Sequence, residues 1–281
     1  MSYELQPRAA GQTWSPGPGV VLAAAAATDT GPVRQLNEDR YLVSPPVFLV
    51  ADGMGGHGAG DLASALVSDV FAELAGTLID AGAVRRAVER AAVRVGELAR
   101  TRDDRAPGST IAAVCYVEEA GTPYWCVASM GDSRVYLSSA SGITQVTRDH
   151  SVVQDLIDRG TISELEAASH PERHVITRAL GADLRTPADF SLVPVQAGTR
   201  VLICSDGVTG TLTDGELAEV LGTGAPSEAA ERLLAVAFSA GGRDNATAVV
   251  VDVASFDRSA DHHELDDTVE TAVAGTRGEF G

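Results

Sequence analysis

The sequence predicts an α+β fold in which antiparallel sheets are covered by helices. Two observations carry that expectation. Short β-rich runs follow one another in meander-like succession, and helical periodicity is confined to two pairs of segments, one early and one late, instead of alternating with strands as a βαβ wind requires. At 281 residues and 44% hydrophobic content the chain has enough apolar material for a full core, which excludes general disorder.

Residues 1–19 read as an extended lead-in, closed by Pro16, Gly17, Pro18 and Gly19 and almost without apolar periodicity. Residues 20–27 are apolar and alanine-rich with Arg8 upstream, which mimics a secretory signal. The Pro- and Gly-rich stretch before them carries only one Arg beside one Glu, so they are read as the first β-strand. Further strands are expected at 40–43, 47–51, 110–117, 124–129, 134–137, 200–204 and 247–253. Residues 59–78 place Leu62, Leu66, Val70, Leu74 and Leu78 at four-residue spacing. Residues 82–100 set Val84, Val88, Ala91, Val95 and Leu98 on one face with arginines and glutamates on the other, and both stretches read as sheet-covering helices. Two later helices are expected at 214–221, behind the cap-like Thr213, and at 227–238 after Pro226, where the Ser227 to Glu231 spacing misses that of a capping box. No internal linker interrupts residues 20–256, which form one domain. Residues 257–281 hold seven acidic residues and two arginines with few large apolar ones, the composition of a disordered tail. His262 and His263 lie in it and are not read as metal ligands.

Lys+Arg of 21 against Asp+Glu of 39 gives a net charge of −18 and a pI near 4.6, the wrong sign for gripping nucleic acid or an anionic membrane by bulk charge. No apolar run approaches the ~20 residues a bilayer requires. Cys115, Cys126 and Cys204 are an odd set inside apolar runs, read as buried thiols of a reducing, cytoplasmic compartment.

The positions of the aspartates are more informative than their number. The run Phe48-Leu49-Val50-Ala51 ends in Asp52-Gly53, and Val201-Leu202-Ile203-Cys204 ends in Ser205-Asp206-Gly207, so two apolar strands each deliver an Asp-Gly at the C-terminal end. A strand end fixes a carboxylate, and the following Gly permits a sharp turn and can offer its carbonyl as another oxygen ligand. Asp244-Asn245 before the last strand, Asn37-Glu38-Asp39 before the second, and Gly131-Asp132-Ser133-Arg134 between two strands add further acids. Carboxylates gathered in a dry site repel one another unless cations compensate them. An all-oxygen set without Cys or His at ligand spacing points to Mg²⁺ or Mn²⁺ rather than Zn²⁺. Two such ions about 3.5–4 Å apart can share a water, lower its pKa and aim the hydroxide in line at phosphorus. Arg34, with a planar fork that grips two phosphate oxygens, is the candidate for holding a phosphate.

The ordered series of Thr30-Gly31 with Arg34 and Asn37-Glu38-Asp39, Asp52-Gly53-Met54-Gly55-Gly56-His57, Gly108-Ser109-Thr110, Gly131-Asp132-Ser133-Arg134, Thr147-Arg148-Asp149-His150-Ser151, Ile176-Thr177-Arg178-Ala179-Leu180-Gly181, Cys204-Ser205-Asp206-Gly207 and Gly242-Arg243-Asp244-Asn245-Ala246-Thr247 resembles the metal-dependent protein phosphatase family, type 2C, in its bacterial form. The motifs span residues 28–253. The resemblance implies a four-layer α-β-β-α sandwich of two central antiparallel sheets flanked by helix pairs. It also implies hydrolysis of phosphoserine and phosphothreonine in proteins with Mg²⁺ or Mn²⁺, two ions in the core site and a third bound more weakly. Carried over residue by residue, Asp52 bridges the two ions, Asp206 and Asp244 complete the first, and Gly53 gives its carbonyl to the second. Glu38 and Asp39 serve the second ion directly or through its waters, and the resemblance leaves open which of them does so. Asp132 with Asp206 resembles the pair that holds the third ion, Arg34 binds the substrate phosphate, and Asn245 and Ser205 shape the backbone behind the ligands.

One departure bears on mechanism. Animal relatives carry a His immediately after the first Asp-Gly, placed to protonate the leaving alkoxide, where this chain has Met54. The acid is then His57, a metal-bound water or another group, and both His57 and His150 have an equally good structural reading. Residues 150–178 resemble the flap beside the active site and are expected to govern peptide choice more than chemistry. The expected partners are phosphorylated proteins, serine/threonine kinases or their substrates. Two rival readings are a sporulation-type phosphatase acting on anti-sigma-factor antagonists and a catalytically weak phosphoprotein-binding regulator.

Overall fold

The computed structural model describes residues 9–17, 20–55, 58–101, 106–181 and 187–256. Twelve strands and seven helices follow in chain order among them: β1 (Ala9–Gly17), β2 (Val20–Asp29), β3 (Asp39–Ser44), β4 (Val47–Met54), α1 (Ala59–Ala72), α2 (Ala81–Arg100), β5 (Gly108–Ser109), β6 (Ile111–Glu119), β7 (Thr122–Met130), β8 (Arg134–Ser139), β9 (Gly142–Gln145), α3 (Val152–Asp158), α4 (Glu164–Ala167), β10 (Asp189–Pro194), β11 (Arg200–Cys204), α5 (Asp206–Thr209), α6 (Asp214–Leu221), α7 (Pro226–Ser239) and β12 (Ala246–Phe256). They make one sheet in the order β1-β2-β12-β11-β8-β9 and a second in the order β10-β7-β6-β4-β3, with β5 on β4; every strand pairing in both is antiparallel.

The period-two pleat explains why the layers stack as they do. In β4, Val47, Leu49 and Ala51 face a core shared with α1 and α2, while Phe48 and Val50 face the core between the sheets. In β12 and β11, Val249, Val251, Val201 and Ile203 point to that same central core, while Ala248, Val250, Leu202 and Cys204 point to a third core shared with α6 and α7. Strands apolar on both faces require a cover on each side, and the result is helices, sheet, sheet, helices. Edge-to-face contacts from Phe48 to Trp125, from Trp125 to Tyr116 and from Tyr116 to Trp14 fill the central layer.

Trp14 also marks where sequence and structure differ. Residues 9–17 of the expected lead-in form edge strand β1, with Trp14 opposite Leu22 in the register with β2. The ladder with β2 and the Trp14 ring packed on Tyr116 both attach this segment to the sheet. Residues 257–281, and with them His262 and His263, lie outside the described residues.

The core face of α1 is Ala63, Val67, Val70 and Phe71, while Leu62 is exposed and Leu78 lies beyond the helix. Strict four-residue spacing advances about 40° around a helix at each step, so five such positions wander off any single face. The later pair follows the sequence closely. Thr213 closes a capping box with Glu216 at the start of α6, and Pro226 occupies the first turn of α7, where Glu228 accepts from the Ala225 N–H at 3.0 Å. All three cysteines are free and buried, and burial pushes the thiols of Cys126 and Cys204 up to about 12, which leaves them inert. Among the described residues no helix is long and apolar enough to cross a membrane.

Candidate metal centre and active site

The candidate acids come from five separated segments that the topology brings to one end of the sandwich. Asp39 begins β3 and lies directly opposite Asp52 near the end of β4. Asp206 opens α5 at the end of β11, Asp244 precedes β12, and Asp132 sits in the turn between β7 and β8. A cleft of about 440 Å³ is bounded by Arg34, Glu38, Asp52, Gly53, Met54, Thr110, Asp132, His174, Asp206, Asp244 and Asn245 among others.

Both Asp-Gly pairs owe their glycine to crowding. A Cβ on Gly53 would stand 2.0 Å from the Gly60 carbonyl oxygen, and one on Gly207 would stand 1.8 Å from that of Asn245. The start of α1 is thereby packed against the end of β4, and α5 against the start of β12.

The floor beneath the cleft is a hydrogen-bonded lattice. Asn245 accepts from the Glu38 N–H at 2.9 Å and donates to the carbonyls of Thr30 and Leu36 at 2.9 and 3.0 Å, which staples the Arg34 loop to the start of β12. Ser205 and Thr247 donate to one carboxylate oxygen of Asp39 at 2.8 and 2.7 Å. Among the described residues the other oxygen, Oδ1, is buried without a partner. Thr110 accepts from the Asp52 N–H at 2.9 Å.

Charge crowding is severe. Burial, then the neighbouring Asp39, Asp206, Asp132 and Asp244, drive the Asp52 carboxyl well above the ordinary carboxylate range. Burial pushes Asp39 and Asp132 up to about 7 in each case, and raises Glu38 and Asp206 as well. Arg34, half exposed, meets Asp244 at 2.7 Å, and His174 Nδ1 lies 3.9 Å from an Asp206 oxygen. Among the described residues no three His, Cys, Asp or Glu side chains stand as a closed metal cage. The acids instead surround a cleft, with Arg34 paired to Asp244 at its edge. An all-oxygen set of costly carboxylates around one cleft fits hard divalent cations, which would relieve the repulsion.

The structure thus brings Arg34, Glu38, Asp52, Gly53, Asp132, Asp206 and Asp244 to one cleft. Asp39 differs: it is buried behind the cleft, opposite Asp52, where Ser205 and Thr247 hold it. His57 lies outside the described residues. His150 is fully buried; its Nδ1 accepts from the Gly131 N–H at 3.1 Å and its Nε2 lies 3.1 Å from Asp189, so it braces the turn that carries Asp132. His174 on the cleft wall was not singled out by sequence reasoning, because it follows α4 in an irregular stretch without periodicity.

Comparisons with known proteins agree with this fold. Residues 32–156 match the Protein phosphatase 2C family. The chain is 38% identical over 244 residues to the serine/threonine protein phosphatase PstP of Mycobacterium tuberculosis, covering 85% of this chain and 46% of that protein. This chain therefore spans about half the length of that relative. It is 34% identical over 240 residues to the serine/threonine phosphatase stp of Listeria monocytogenes, covering 80% of this chain and 93% of that protein. The crystal structure of the PstP catalytic domain in complex with 2 manganese ions superposes with a TM-score of 0.76 at 33% identity, covering 85% of this chain and all of that one. Two antiparallel sheets between helix layers, an acid-lined cleft at one end and relatives matched over nearly their whole length place this chain in the protein phosphatase 2C family.

Proposed function

We propose that the protein is a metal-dependent phosphatase that hydrolyses phosphoserine and phosphothreonine in proteins. The observation that carries the reading is the convergence of Glu38, Asp52, Asp132, Asp206 and Asp244 with Arg34 around one cleft. Asp52, Asp206 and Asp244 would hold a first Mg²⁺ or Mn²⁺, Asp52 with the Gly53 carbonyl and Glu38 a second, and Asp132 with Asp206 a weaker third. When bound, such ions lower the pKa of a water and neutralise charge on a transferring phosphoryl group.

The chain's own residues supply binding and orientation. Arg34 exchanges Asp244 for two phosphate oxygens, since its fork suits either anion. Its position is set by Asn245, which pins the loop on both sides of it. Asp39 is assigned a supporting role, because it is not among the residues that bound the cleft while one of its oxygens accepts from Ser205 and Thr247, close to Asp206 and Asn245. Met54 cannot donate a proton, so the leaving alkoxide takes its proton from another donor at the cleft. The partners are phosphorylated proteins, serine/threonine kinases and their substrates among them, met in the cytoplasm.

Phosphate release from a phosphothreonine peptide with Mn²⁺, with Mg²⁺ and with excess chelator tests the reading. Turnover with either ion and none with chelator is expected. Metal binding without release from any phosphopeptide would transfer the chain to the class of phosphoprotein-binding regulators.

A further inference from the structure

Thr110, in the link between β5 and β6, borders the cleft yet is almost wholly buried, as is Ser133 beside it. Thr110 meets Asp52 twice. Its N–H donates to the Asp52 carbonyl at 2.8 Å, and its hydroxyl oxygen accepts from the Asp52 N–H at 2.9 Å. The same hydroxyl lies 2.7 Å from the hydroxyl of Ser133, the residue that follows Asp132. On the other side of Asp132, a Cβ on Gly131 would stand 2.6 Å from the Thr110 methyl carbon, so the methyl takes the space a side chain there would need. One residue therefore clamps the backbone of Asp52 and touches both chain neighbours of Asp132, although these aspartates stand on β4 and in the turn between β7 and β8.

Packing accounts for the methyl but not for the hydroxyl. Valine has the shape of threonine, and a buried hydroxyl costs free energy unless it is hydrogen-bonded. What valine lacks is the oxygen shared by the Asp52 N–H and Ser133. Groups that orient metal ligands without touching the ion commonly govern the affinity of the site.

We infer that Thr110 is a positioning residue of the metal centre: its hydroxyl holds Asp52 and Asp132 in one register, so divalent binding at the core and the weaker binding at Asp132 depend on the same oxygen. The inference rests on the metal assignments proposed above. Ser133 carries the link to Asp132 alone, because the Asp52 N–H bonds to Thr110 whether or not Ser133 has a hydroxyl.

The test is calorimetric titration of the full-length protein with Mn²⁺, the weaker binding event being the one that Asp132→Asn removes. Thr110→Val, which keeps the methyl and drops the hydroxyl, should weaken both the tight and the weak event by about 10- to 100-fold. Thr110→Ser, which keeps the hydroxyl and drops the methyl, should stay within about threefold of wild type on both, and Ser133→Ala should weaken the weak event by about tenfold while leaving the tight one within about threefold. Circular dichroism matches the variants for fold, and if Thr110→Val does not fold, Ser133→Ala decides. A Thr110→Val protein that loses affinity in only one event or in neither, a Ser133→Ala protein with the weak event unchanged, or a Thr110→Ser protein as impaired as Thr110→Val overturns the inference. A wild type that binds Mn²⁺ without any event assignable to Asp132 overturns it and leaves the core ions standing, whereas no Mn²⁺ binding at all overturns it together with the metal-dependent reading. The predicted affinities without phosphate release from any phosphopeptide would uphold the inference and sink only the phosphatase activity.

Discussion

Asp39 and Asp52 lie directly opposite one another across the β3–β4 ladder, at the base of the acid cleft. Like charges directly opposed across a sheet are destabilising, and here Asp132, Asp206 and Asp244 add to the repulsion on Asp52. The arrangement is tolerable only when protons or cations share the site, and the first predictions follow from that.

The metal-free protein should become more stable as pH falls from 8 to 5. Asp39 and Asp132 are raised from 3.8 to about 7, so between those values the native state holds protons that the unfolded chain has already released. With more protons bound in the native state, the stability slope against pH is negative across that window. Thermal melts in chelator check this, with Tm rising by about 2–4 °C for each kcal/mol gained. A Tm that falls steadily from pH 8 to 5 would contradict it. Divalent affinity should run the opposite way and strengthen as pH rises, because cations compete with those protons.

Asp52→Asn should separate stability from function. Removing the most crowded carboxylate should raise the Tm of the metal-free protein, while Mn²⁺ binding and phosphate release are lost. Melting and calorimetric titration on one preparation decide it; a lower metal-free Tm would mean that Asp52 is not under electrostatic strain.

Arg34→Ala should lower kcat/KM for phosphopeptides by about 10²-fold, the cost of removing one donor to a developing anion. Arg34→Lys should recover only part of that, since an ammonium cannot reproduce the fork. Steady-state kinetics with both variants is the check.

Gly207→Ala should be severe for steric reasons alone, because its Cβ would stand 1.8 Å from the Asn245 carbonyl oxygen. Forced backbone shifts cost about 1–3 kcal/mol or more, and this one would displace Asp206. Urea denaturation measures the loss, and a midpoint equal to wild type would show that α5 does not pack as described.

His150→Ala should cost about 1–3 kcal/mol by leaving the buried Gly131 N–H without its acceptor. The weaker divalent binding proposed at Asp132 should decline with it. Calorimetry beside Asp132→Asn tests whether the two changes act on the same binding event.

Much of this was legible before any coordinates. The unbroken apolar runs of β4 and β11 marked buried strands, and the repeated Asp-Gly at their ends named residues that the fold brings to one cleft, because local chemistry fixes both. What escaped depended on distant neighbours. Strand β1 pairs with β2 and adds the Trp14 contact with Tyr116, about a hundred residues away in sequence. Strand β10 is an edge with exposed residues and Pro194 at its end, and it carries little apolar signal. Whether Glu38 or Asp39 faces the cleft is decided by the pleat and by Ser205 and Thr247, none of which the run Asn37-Glu38-Asp39 contains. His174 reaches the cleft only because the pairing of Ile176 with Ser151 brings its segment there.

The most direct test of the central claim pairs phosphate release from a phosphothreonine peptide with Mn²⁺ titration, for the wild type and for Asp206→Asn, at matched fold by circular dichroism. The account predicts metal-dependent release in the wild type, and in the variant weakened Mn²⁺ binding with release reduced by at least about 10²-fold. Undiminished release by Asp206→Asn, or release by the wild type that persists in excess chelator, would contradict it.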